Sequence, residues 1–135
     1  MVNVIISSDP RYPVSKVAIQ SAVLNVLTQN HLSGRVEVEV NIVGDRKMHE
    51  LNRYYRKIDS TTDILTFAFQ DPNPQGWKHQ PQGWASSPDN WLRLGSIVIS
   101  YPEAQQDASM DNRTVEDEIS FLVEHGTNHL LGHHH

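Results

Sequence analysis

Leu94-Gly95-Ser96-Ile97-Val98-Ile99-Ser100 decides how the rest of this chain is read. Ile97, Val98 and Ile99 are consecutive β-branched residues with no polar break, the pattern of a strand packed on both faces. Such a strand belongs inside a sheet covered by helices. Ile64 to Phe69 has the same character and is expected to be a second central strand. Val36, Val38, Val40 and Ile42 instead alternate with Glu37, Glu39 and Asn41, the period of a strand with one core face and one wet face. Val2 to Ile6 reads as a further short apolar strand.

Helical spacing fills the intervals. Ser15 can cap a helix in which Ile19, Ala22, Val23, Val26 and Leu27 form the buried stripe, with Val14 packing on Ile19 as a hydrophobic staple. Gly34 closes the connection to the next strand. Asp45 can cap a second helix whose apolar side is Met48, Leu51 and Tyr54 or Tyr55, ending near Lys57. Thr114, with Asp117 three residues on, opens a last helix that buries Val115, Ile119, Leu122, Val123, Gly126 and Leu130. Strands and helices in this arrangement predict an α+β or α/β sandwich of about four strands and three or more helices, with strand direction left open.

Gln70 to Asn90 departs from both periods. It is rich in Pro, Gly, Gln and Ser and repeats Pro-Gln-Gly-Trp at Pro74 to Trp77 and Pro81 to Trp84, with Trp91 just beyond. Residues 70–91 therefore read as an extended surface insertion in a single domain spanning 1–135. Its tryptophans either pin the loop to the body, the favoured reading, or stack on nucleobases.

One hundred and thirty-five residues at 38% hydrophobic content suit one domain burying roughly two-thirds of its unfolded surface. Neither a run of about eighteen apolar residues nor a charged-then-apolar leader is present, so a soluble cytoplasmic protein with no membrane partner is expected. The absence of cysteine removes disulfides and thiolate ligands. A formal net charge of −5 excludes a basic domain that coats nucleic acid. Any such partner must meet a local positive patch or a metal.

A metal is what the last eleven residues offer. His125, His129 and His135 are spaced H-x3-H-x5-H. Two histidines four apart share one helical face, and Gly132 can take the left-handed conformation that ends a helix and turns the chain back, carrying His135 toward the same point. Three imidazoles leave one tetrahedral position open, the arrangement of a catalytic zinc, which lowers the pKa of its water to about 7 and polarises a carbonyl or phosphoryl oxygen. The competing reading is that His133 to His135 are the remnant of an expression tag. Where zinc proteases of the H-E-x-x-H type carry their general base this chain has Gly126. Glu118 and Glu124 are read as a solvated carboxylate or one that supports a ligand. Arg56, in a dense group of cations at a helix end, suits a phosphate with its planar fork, or simply meets the helix dipole.

Together, Leu51 to Phe67 (L-N-x-x-Y-R-x-x-D-x-x-T-D-I-L-T-F), Leu94 to Ser100 (L-G-x-I-V-I-S) and His125 to His135 (H-G-x-x-H-L-L-G-x-x-H) closely resemble the YbeY family of bacterial endoribonucleases and rRNA maturation factors. The resemblance runs in order from about Val36 to His135. It implies an α+β metallohydrolase with a mixed sheet, one zinc ion on His125, His129 and His135, and Arg56 as the functional arginine. The activity it implies is cleavage of single-stranded RNA, in ribosomal RNA processing at the small-subunit RNA 3′ end and in ribosome quality control. Ribosomal RNA, and the ribosome or small-subunit proteins, are the implied partners. Either water or a ribose 2′-hydroxyl can attack. This chain has Ser96 and His134 where the family carries Asp, and Asn128 where Leu is common, so a carboxylate that orients a ligand is absent or supplied elsewhere. Members continue past the last histidine, so an end at His135 is expected to mean a truncated or unusually short chain. The alternatives are a metal-assisted hydrolase of peptides or small esters, and a non-catalytic ribosome-associated module in which the metal only fixes the helix end.

Overall fold

The alternating segment becomes strand β2 (Val36–Val43), and Val36, Val38, Val40 and Ile42 are each no more than 1% exposed. A computed structural model describes residues 2–32, 34–69 and 91–133. Around β2 the order is β1 (Val2–Ser8), α1 (Lys16–Gln29), β2, α2 (Asp45–Arg56), β3 (Ile64–Ala68), β4 (Leu92–Ser100), α3 (Tyr101–Met110) and α4 (Val115–Leu130). The insertion expected over 70–91 lies outside the described residues except for Trp91. No described helix is long and apolar enough to cross a membrane.

One mixed sheet runs in the order β1-β2-β4-β3. β1, β2 and β4 are parallel, and β3 is antiparallel to β4. β4 is the central strand its composition calls for, buried from Leu94 to Ser100. β3 corrects the expectation of a second central strand: it ends the sheet among the described strands. Its apolar run is explained by packing above and below, since Leu65 and Phe67 join Met48, Leu51 and Val98 under α2 while Ile64 packs into the larger core on the other face. Apolar sequence reports covered faces, and it is silent about whether the strand's edge is paired.

The larger core joins Ile19, Ala22, Val23 and Leu27 of α1 to Ile119, Leu122 and Val123 of α4 across β2 and β4. Helices α1 and α4 therefore share one sheet face and α2 covers the other. The second face of β2 is half-buried rather than wet, with Asn41 Nδ2 donating to Ser96 Oγ at 3.0 Å and Arg93 against Glu37 at 3.2 Å.

Helix starts follow side-chain chemistry. Ser15 Oγ accepts from the Ala18 amide at 3.1 Å, and Thr114 Oγ1 accepts from Asp117 at 3.0 Å. Asp45 is not the cap expected of it. Gly44 holds that position without a side-chain bond, while Asp45 begins the helix and accepts from Ser100 Oγ at 2.6 Å. The Ser100 hydroxyl is fully buried at the end of β4 and draws the carboxylate inward. Helix α3 was hidden in the sequence because the apolar run of β4 continues into Tyr101. The signal was Ser100-Tyr101-Pro102-Glu103: Ser100 Oγ accepts from the Glu103 amide at 3.3 Å, and proline is tolerated in a first turn.

Between Glu37 and Val38 the β2–β4 register shifts, so Arg93 and Gly95 face consecutive β2 residues and Leu94 is the extra one. Gly95 adopts φ +153°, and a Cβ there would strike the Phe67 carbonyl oxygen and lie 2.8 Å from Leu130 Cδ2. Gly95→Ala should therefore destabilise the fold by roughly 2–4 kcal/mol, read as a lower urea midpoint. An unchanged midpoint would show that the bulge relaxes freely.

Candidate functional site

Helix α4 lies close against the sheet because residue 126 is glycine. A Cβ on Gly126 would meet Ile97 side-chain atoms at 3.1 Å, so no larger residue permits this spacing without a shift. The residue that replaces the protease glutamate thus has a packing role. With Gly126 and Val123 turned to the sheet, His125 and His129 share a neighbouring row one turn apart. Their ring centroids are 5.1 Å apart, tilted by 44°.

Arg56 reaches the same place from the opposite sheet face. It is the last residue of α2, after which Lys57 takes a left-handed φ of 61° and bonds back to the Arg53 and Asn52 carbonyls. The loop beyond is held by Asn52, 1% exposed, whose Nδ2 donates to the Ser60 carbonyl at 2.9 Å. His49 and Asp59 add a contact of 2.8 Å. Arg56, His125 and His129 then line one cavity of about 290 Å³ with Ile64, Leu65 and Thr66 of β3. Because β3 ends the sheet among the described strands, groups from both faces can meet around it. Among the described residues Arg56 forms no ion pair, so its guanidinium is available to an anion.

The donor set suits a borderline divalent ion that favours imidazole nitrogen. Among the described residues it consists of two histidines, and no group of three or more His, Asp or Glu gathers to hold a metal. His135 lies outside the described residues, as does His134. The turn that leads to them is described. Gly132 takes φ +97°, its amide donates to His129 at 2.9 Å, and the His133 amide donates to Asn128 at 2.9 Å, a Schellman ending that reverses the chain as the glycine foretold. His133 is engaged elsewhere, with Nε2 2.9 Å from Asn30 Oδ1.

Glu118 is not solvated. It is 2% exposed, and its Oε1 accepts from Arg113 Nε at 2.8 Å. It belongs to a set of carboxylates at the end of β4, with Asp45, Asp63, Glu103 and Asp107. Burial, followed by repulsion from Asp45, raises the Glu103 carboxyl. Burial, a shared hydrogen bond with Asp63 and the charges of Asp63, Glu118 and Glu103 raise Asp107 from 3.8 to about 7. Sequence reading missed this set because its members come from separate elements.

Residues 8–135 match the family model described as Endoribonuclease YbeY. The chain is 40% identical over 99 residues to Endoribonuclease YbeY of Brevibacillus brevis, covering 73% of this chain and 62% of that one. It is 31% identical over 134 residues to the protein of the same name from Dehalococcoides mccartyi, covering 99% of this chain and 77% of the relative. It thus spans less than two-thirds of the Brevibacillus relative and rather more of the other. In fold it is similar to the solution structure of TM1509 from Thermotoga maritima, with a TM-score of 0.57, 22% identity and coverage of 96% of this chain and 72% of that one.

Because Asp107 holds a proton in the fold up to about pH 7 that the unfolded chain releases near 3.8, unfolding releases a proton in that window. Its contribution to stability falls as pH rises from about 4 to 7 and is level above. Asp107→Asn should raise the melting temperature relative to the parent by ~3 °C at pH 8 and by much less at pH 4. An equal difference at both pH values would refute a raised carboxyl.

Proposed function

This chain belongs to the YbeY family of endoribonucleases, enzymes that hydrolyse RNA, and from that premise we propose that the Arg56, His125 and His129 cavity is its metal-dependent active site. One observation carries the reading: a guanidinium without an ion pair among the described residues and two imidazoles, from helices on opposite sheet faces, border the same 290 Å³ space. The proposed ligands are His125, His129 and His135, and zinc is the ion that three neutral imidazoles favour. When bound, the ion supplies a Lewis acid.

The chain's own residues do the rest. His125 and His129 are half-buried on a helix whose place is set by its packing on the sheet. Arg56 presents a planar pair of donors that fits two phosphate oxygens, and its positive charge counters the negative charge that grows there as the phosphodiester is cleaved. The capped end of α2 and the Asn52–Ser60 bond fix where that guanidinium begins. Ser96, on the α2 side of β4, accepts from Asn41 Nδ2 at 3.0 Å.

The proposed substrate is single-stranded RNA, with ribosomal RNA maturation at the small-subunit 3′ end and ribosome quality control in the cytoplasm as the setting. The ribosome or its small-subunit proteins would present it. Arg56→Ala should lower kcat on single-stranded RNA by about 10²–10³-fold with metal content unchanged. His129→Ala should lose bound zinc by elemental analysis as well as cleavage. RNA cleavage that survives both substitutions would place the active site elsewhere.

A further inference from the structure

Phe121 lies one turn before His125 on α4, and the α4 core residues around it, Ile119, Leu122 and Val123, are at most 4% exposed, whereas Phe121 is 48% exposed. A large apolar ring left half in water on this face contributes little to the core. It is nevertheless held in place. The Arg113 guanidinium lies over the ring, 4.7 Å from its centroid, a cation–π contact. Arg113 is itself fixed by Glu118, whose side chain is 3% exposed, and more loosely by Asp111 at 3.5 Å. Releasing Arg113 would leave the buried Glu118 carboxylate uncompensated, which keeps the arginine in position. The Phe121 ring is near-parallel to that of His125, at 18° with centroids 6.5 Å apart.

We propose that Phe121 is a stacking platform for a nucleobase of single-stranded RNA, one nucleotide of which has its phosphate in the adjoining Arg56, His125 and His129 cavity. This rests on the endoribonuclease reading above and adds a binding subsite to it. Charge supports a stacked base as the occupant. At a net charge of −5 the chain as a whole has little electrostatic attraction for a phosphate backbone, so beyond the local Arg56 and metal site affinity has to draw on contacts that do not depend on a basic surface. Stacking on an aromatic ring is such a contact, and it is tolerant of sequence because every base has a π face. A ring whose rotamer is already fixed by Arg113 loses little entropy when a base lands on it. Arg113, being neutralised by Glu118, acts as a positioning residue for the ring and is not a phosphate ligand.

The test uses the full chain with its metal, a short single-stranded RNA of uniform sequence, and the same RNA carrying one abasic site walked along its length. Phe121→Leu should weaken binding and raise KM by about tenfold while kcat stays within about twofold, and Phe121→Tyr should restore both. One abasic position should weaken the parent protein similarly and leave Phe121→Leu unaffected. The proposal is overturned if Phe121→Leu binds as the parent does, or if every abasic position affects both proteins alike. Should Phe121→Leu fold poorly, the abasic walk on the parent against Phe121→Tyr decides: no position-specific loss sinks the platform. Binding that depends on Phe121 without any cleavage would overturn the nuclease reading and leave the platform standing. Cleavage with an unchanged KM in Phe121→Leu would do the reverse.

Discussion

The close passage of α4 over β4 is the contact on which the rest of this protein depends. Gly126 lets the helix settle on Ile97, and Gly95 gives Leu130 room at the β4 bulge. Two residues without side chains therefore set the height of one helix above one strand. Each lies inside a regular element, where glycine costs roughly 0.5–1 kcal/mol relative to alanine, and close packing offsets that cost. Everything α4 carries on its neighbouring row, Phe121, His125 and His129, inherits its position from this crossing.

The second constraint is that β3 is a short strand at the sheet's end among the described strands. A central strand there would separate the two helical layers and keep Arg56 of α2 from the histidines of α4. With β3 last, the path from one face to the other is a single strand wide, and Ile64, Leu65 and Thr66 become the floor of a cavity rather than a barrier. The feature that corrects the reading of Ile64 to Phe69 is also what makes a shared site geometrically available.

The charges divide by place. Carboxylates from α2, the loop before β3, α3 and α4 gather where β4 ends, and crowding and partial dehydration raise the pKa of those on Glu103 and Asp107. Arg113 draws one of them, Glu118, into an ion pair. Arg56 is spared such a partner among the described residues. Net charge gave no hint of where the acids collect.

Periodicity and caps were readable because they are local. The stripe of α1, the alternation of β2, the burial of β4, the Ser15 and Thr114 caps and the left-handed turn at Gly132 each depend on residues within a few positions of one another. The histidine pair stood out by its helical spacing and Arg56 by the family resemblance, and the structure brings all three to one cavity. Asp45 and Ser100 were misjudged or missed because each is the other's partner across 55 residues of chain. The edge position of β3 was hidden because packing above and below a strand writes hydrophobic residues into it while pairing alongside writes nothing. The sequence by itself determined most of the segments that fold as helix or strand, with α3 the exception, and the apolar face that each of them buries. The tertiary structure alone decided which side chains meet, because that follows from strand order and from how closely two backbones can approach, and both are properties of pairs of elements.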